Sequence, residues 1–119
     1  MKKTVLIMAL ILSANVLYAW VKGDRVLGQW QDNLWYPARI SEAVDGGYRV
    51  MFDDGDVSVL PAERIRKIDW AVGTNVQCNF KNAGLYYKGT ITRMNGEMIH
   101  ISYEDGDQED ATIGRCRSR

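Results

Sequence analysis

About fifty residues of this chain are written twice, and that repetition narrows the available folds more than any other property of the sequence. Trp20-x-x-Gly23-x-x-Val26-x-x-x-Trp30 recurs as Trp70-x-x-Gly73-x-x-Val76-x-x-x-Phe80. Allowing one inserted residue, Tyr36-x-Ala38-x-Ile40 aligns with Tyr87-x-Gly89-x-Ile91. Tyr48-x-Val50-x-Phe52-Asp53-Asp54-Gly55-Asp56 then aligns with Ile99-x-Ile101-x-Tyr103-Glu104-Asp105-Gly106-Asp107. Three matches in the same order point to duplication of one unit.

Inside each unit the apolar residues alternate, the period of a β-strand with one buried face. Tyr48, Val50 and Phe52 share a face from which Arg49 and Met51 point away. Ile99, Ile101 and Tyr103 do the same, with His100 and Ser102 outward. Asp45-Gly46-Gly47, Asp54-Gly55, Asn95-Gly96 and Asp105-Gly106 supply residues that suit tight hairpins. The first unit is expected to hold strands at 25–30, 35–42, 48–52, 57–60 and 65–68, with a helical turn at Pro61–Arg64. The second is expected to hold strands at 75–80, 85–93, 97–103, 108–111 and 115–117. Five short antiparallel strands in so few residues bury a core only by curling into a small barrel. The fold class expected is all-β, with barrels over 20–68 and 69–119. The linker Lys67-Ile68-Asp69-Trp70 lacks Gly, Pro and Ser, so the barrels should pack together. Trp20 and Trp70 precede the first strands and are expected to cover barrel bottoms or the junction. Trp35 reads as an extension of a binding surface or a partly exposed strand residue.

Residues 1–19 have another character. Lys2 and Lys3 precede an unbroken apolar run, Val5 to Leu12, and the segment ends Val16-Leu17-Tyr18-Ala19. That is the layout of a secretory signal peptide cut after Ala19, although Leu17 is larger than usual near such a site. The chain is therefore expected in a bacterial periplasm or secreted, without a membrane contact after cleavage; the alternative is a retained N-terminal anchor. The whole chain balances 15 basic against 15 acidic side chains, and removal of Lys2 and Lys3 leaves 13 against 15, a charge of −2. Such a charge disfavours nucleic acid as a partner.

The pattern Gly-Asp-Arg-Val-x-x-x-Trp, Trp-Tyr-Pro-Ala-x-Ile, Tyr-x-Val-x-Phe-Asp-Asp-Gly-Asp resembles the Tudor/agenet (Royal) superfamily. The match is close over Gly23–Ile68 and looser over Gly73–Arg117, where Phe80 replaces Trp and Tyr103-Glu104 replaces Phe-Asp. The resemblance implies an SH3-like, Tudor-type barrel per repeat and a binding protein without enzymatic activity or cofactor. It also implies an aromatic cage for a methylated Lys or Arg side chain at one barrel end. By position the first cage would comprise Trp30, Tyr36, Phe52 and Asp54, and the second Phe80, Tyr87, Tyr103 and Asp105. Asp56 and Asp107 stand where some cage-forming relatives carry another aromatic residue. The physics suits these residues: ring faces attract a cation by about 0.5–2 kcal/mol per good contact, and a carboxylate adds charge. The expected ligand is a protein or peptide bearing a cationic group. The alternative is a periplasmic protein–protein module whose aromatics serve only as core.

Cys78 and Cys116 fall on the first and last strands of the second unit, which are neighbours in an SH3-like barrel. In an oxidising compartment they are expected to form a disulfide, the alternative being two buried thiols. The acidic turns lack the twelve-residue calcium loop and its closing Glu, so they read as turn chemistry and no metal is expected. His100, the only histidine, reads as a solvated outward residue, the counterpart of Arg49 in the first repeat, with no acidic partner. Arg115–Arg119 reads as a solvated cationic terminus.

Overall fold

A computed structural model describes residues 19–119; the expected signal segment lies outside them, apart from Ala19. The described residues form two five-stranded antiparallel sheets. The first contains β1 (Arg25–Gln29), β2 (Trp35–Val44), β3 (Gly47–Phe52), β4 (Val57–Leu60) and β5 (Ile65–Lys67), in the order β4-β3-β2-β1-β5. The second contains β6 (Asn75–Asn79), β7 (Tyr86–Asn95), β8 (Met98–Tyr103), β9 (Gln108–Thr112) and β10 (Cys116–Arg117), in the order β10-β6-β7-β8-β9. These are the tandem SH3-like barrels expected from the pattern. The helical turn before β5 is a 3-10 turn at Ala62–Arg64, and Ile113–Arg115 repeats it before β10.

Alternation puts Val50 and Phe52 into the first core while Met51 between them is half exposed. Ile99, Ile101 and Tyr103 enter the second core likewise. Tyr48 packs against the edge of the first core, where its phenol oxygen accepts the Trp20 N–H at 3.2 Å. The long strands β2 and β7 each carry a register shift at the same place, Ile40/Glu42 and Ile91/Arg93. Such a bulge bends a strand, which lets one long element serve both halves of a barrel. Gly55 and Gly106 take φ of 96° and 95° in equivalent turns, as the Asp-Gly pairs require.

The barrels are joined by more than their linker. Trp35 and Ser118 form a two-way backbone bridge, N–H to O at 2.8 and 3.0 Å, at the start of β2, before its pairing with β3 begins. Trp70 is buried in the second core, and its indole N–H donates to Ser118 Oγ at 3.1 Å. Cys78 and Cys116 lie directly opposite one another in the β6–β10 pair and are disulfide-bonded.

Two sequence readings are corrected, those of His100 and of the basic terminus, and one alternative is decided, that of Trp35. Trp35 is the partly exposed strand residue of its second reading, and it also packs against the second barrel's core beneath Arg66, whose guanidinium lies 4.1 Å from its ring. His100 does have an acidic partner, Asp110, with Nδ1 to Oδ1 at 2.7 Å, and Gln108 Oε1 lies 2.9 Å from Nε2. Its cross-strand neighbours are Arg93 and Asp110. The basic terminus is built into the structure: Arg115 pairs with Glu109, and Arg117 and Ser118 reach the first barrel.

Candidate functional site

Trp30 follows β1, Tyr36 lies near the start of β2 and Phe52 ends β3, so three strand ends meet at one barrel mouth. Phe52 is the floor, almost wholly buried. The Trp30 ring stands 5.3 Å from it at 87° and the Tyr36 ring 6.3 Å from it at 89°. These rings, with Asp54, line one pocket of about 140 Å³. Asp53 and Asp56 of the first barrel and Tyr86 and Gly114 of the second complete its rim. The space is of the order that admits a benzene-sized group.

The acidic residues of the rim differ electrostatically. Asp53 is gripped in a bidentate pair by Arg25, which also bonds Glu97 of the second barrel at 2.9 Å. Asp53 and then Glu97 hold the Arg25 guanidinium above its ordinary range, and Arg25 draws the Glu97 carboxyl below its own. Asp54 Oδ1 accepts the Asp56 N–H at 3.0 Å, a local turn bond that leaves its charge in place. Among the described residues neither Asp54 nor Asp56 is paired with a cation. The mouth therefore presents aromatic faces beside uncompensated negative charge.

The Tyr36 hydroxyl donates to Asp32 Oδ2 at 2.6 Å and accepts from Arg117 Nη1 at 2.9 Å. Burial first, and then the bond to Asp32, push its phenol up to about 12 against the opposing pull of Arg117. The Arg117 guanidinium lies 3.9 Å from the centre of the Tyr86 ring, and its Nε donates to Gln77 at 2.9 Å.

The second mouth repeats the aromatic corner: Phe80 lies 5.3 Å from Tyr103 and 6.4 Å from Tyr87, again edge-on. Asp105 matches Asp54, and what differs is a further carboxylate, Glu109. Asp105 caps its own turn through the Asp107 N–H, at 3.0 Å. Glu109 accepts the Tyr103 hydroxyl at 2.7 Å, Arg115 Nη2 at 2.9 Å and the Lys81 N–H at 3.2 Å. Burial alone would raise the Glu109 carboxyl, but those bonds outweigh it and hold it below the usual range. Burial and the bond to Glu109 push the Tyr103 phenol well up. Lys81 Nζ lies 5.3 Å from the Phe80 ring. The corner is thus already supplied with cations of the chain itself. In the first barrel Ser58 stands opposite Val50, the place Glu109 takes opposite Ile101.

Comparison with known proteins agrees with this architecture. Residues 22–68 match the family model described as the Tudor domain of the DNA-repair protein Crb2. The solved tandem Tudor domains of Crb2 superpose with a TM-score of 0.59 at 19% identity, over 85% of this chain and 81% of that one. The fold is that of tandem Tudor domains. An Arabidopsis thaliana structure, AGDP1 AGD34, gives 0.42 at 16% identity, over 89% of this chain and 86% of its own. The ADCP1 tandem agenet domain 3-4 gives 0.40 at 16% identity, over 89% and 84%. No curated protein sequence matches the chain.

Within this tandem Tudor fold, the four residues read from the first repeat converge on one pocket. Those of the second form an aromatic corner beside Asp105, which makes the same turn bond as Asp54. Tyr86 and Gly114 carried no sequence signal for the pocket, since both come from the other repeat. Among the described residues no group of three or more His, Cys, Asp or Glu could hold a metal ion. The first mouth offers aromatic faces beside two carboxylates that have no ion-pair partner among the described residues.

Proposed function

We propose that this is an exported, non-enzymatic binding protein whose first barrel takes a cationic group into the mouth formed by Trp30, Tyr36, Phe52 and Asp54. The observation that carries the reading is a small pocket walled by perpendicular rings with Asp54 and Asp56 free of ion pairs. A methylated ammonium keeps its charge, has fewer donors to satisfy and gains apolar surface, so ring faces and a nearby carboxylate suit it better than water alone. The ligand is a protein or peptide carrying methylated lysine or arginine, or another quaternary ammonium. The second barrel acts as support for the first, because Glu109, Arg115 and Lys81 serve its own aromatic corner.

Titration with Nε-trimethyllysine, methylarginine and choline, followed by tryptophan fluorescence and amide NMR shifts, tests this. Saturable shifts at Trp30, Phe52 and Asp54 that disappear in Trp30→Ala are expected. No response at millimolar ligand, or a response indifferent to Trp30→Ala, overturns it. Export is tested separately, by fractionating cells that express the full chain and sequencing the N-terminus for cleavage after Ala19.

A further inference from the structure

The proposed cation site has a wall that its own barrel does not supply. Where a fourth ring could close the first mouth, the chain carries Asp56; Tyr86, the first residue of β7, lines the same pocket from across the junction. Three contacts of the neighbouring Arg117 fix that ring against the first barrel. The guanidinium lies on Tyr86 at 3.9 Å, donates to the Tyr36 hydroxyl at 2.9 Å and stands 3.9 Å from Asp32. A fourth contact, to Gln77 at 2.9 Å, ties Arg117 to its own sheet. Arg117 follows Cys116, so the disulfide to β6 anchors its backbone.

Resting on the cation-binding reading, we propose that the site is composite: Tyr86 of the second barrel is a specificity-determining wall, and Arg117 is the positioning residue that sets Tyr86 and Tyr36 relative to one another. A planar guanidinium can stack on one ring while an edge N–H donates to the hydroxyl of another; a lysine ammonium cannot hold both with the same geometry. The positive charge of Arg117 is balanced by Asp32 outside the pocket, while Asp54 and Asp56 remain for the ligand. A ligand head must therefore be small enough to fit between two barrels, not merely to rest on one open mouth.

The experiment is titration of Nε-trimethyllysine into the oxidised protein and five variants, with thermal unfolding and amide dispersion recorded for each. Trp30→Ala reports on the cation-binding reading itself. Tyr86→Ala and Tyr86→Leu are each expected to weaken binding about three- to tenfold, with Leu showing that bulk does not replace the ring. Arg117→Gln should weaken binding and shift the Tyr36 ring resonances before ligand is added. Arg117→Lys should restore folding stability more fully than affinity, a separation that a purely structural role would not give. Binding lost in Trp30→Ala but unchanged in both Tyr86 variants overturns the composite site and leaves the cation reading standing. Equal recovery of stability and affinity by Arg117→Lys removes Arg117 as a positioning residue. A wild-type protein that does not bind the probe, or binds it independently of Trp30, overturns both.

Discussion

Asp53 and Asp54 are neighbours in the chain with opposite duties. Asp53 spends its charge on Arg25 and the junction, whereas Asp54 gives one oxygen to a turn N–H and keeps its charge at the pocket. Asp54→Asn should therefore weaken cation binding with little loss of stability, and Asp53→Asn should lower stability first; titration beside urea unfolding separates the two. Glu109 is the residue that most distinguishes the two mouths. Glu109→Ala leaves the Tyr103 hydroxyl without its acceptor and Arg115 with the Asn79 carbonyl but no carboxylate in a part-buried site, a loss of about 2–3 kcal/mol in denaturant unfolding. Because the folded Glu109 carboxyl lies below its ordinary value of 4.5, its contribution is present above that pH and fades as pH falls through the lowered value. His100 has the opposite sign. Gln108 and then Asp110 accept from its ring and raise its pKa above 6.5, with Arg93 opposing. Its contribution is full below pH 6.5 and disappears as pH rises through the raised value; thermal melts across pH 5–8 should show a slope that His100→Gln flattens.

At the scale of elements, the strands were legible because their causes are local. Alternation in Tyr48–Phe52 and Ile99–Tyr103, with Asp-Gly turns following, determines face and register without help from distant residues. Trp30, Tyr36, Phe52 and Asp54 were legible as a set through the family resemblance, which names them by position, and all four lie at or next to strand ends of one repeat. Tyr86, Gly114 and Arg117 were not. Their placement depends on how one barrel meets the other, which leaves no period in the sequence. The 3-10 turn Ile113–Arg115 shows how tight that meeting is. A Cβ on Gly114 would lie 2.3 Å from Asp53 Oδ2, so only glycine lets this turn sit against the first barrel. Gly114→Ala should part the two elements, costing about 1–3 kcal/mol and moving amide signals around Asp53 and Tyr86 together. The Cys78–Cys116 bond closes a separation of 38 residues on a two-residue strand, β10. Replacing both cysteines by alanine should lower stability by roughly 3–4 kcal/mol, measured by urea unfolding, with β10 amides losing protection first.

For the whole molecule the junction ties the two small barrels to one another at several points. Arg25 reaches Glu97, Trp35 pairs with Ser118, and Arg66 donates to the terminal Arg119 carbonyl at 3.1 Å. Removing Ser118 and Arg119 strips the backbone partners of Trp35 and the acceptor of the buried Trp70 indole. A loss of about 1–3 kcal/mol, with both barrels still unfolding in one transition, is the expected result. Leu27 carries the coupling deeper. Its neighbour Val26 is buried in the first core, but Leu27, equally inaccessible, belongs to the second. The matching residue of the second repeat, one place after Val76, is Gln77, which is polar and hydrogen-bonded to Arg117. The two copies have thus ceased to be interchangeable. A chimera that exchanged them would put a glutamine where a neighbour needs a hydrocarbon plug, and a third copy laid on the end would meet that same polar surface. Divergence at this one position has given each copy its own place in the pair: one that reaches out and one that receives.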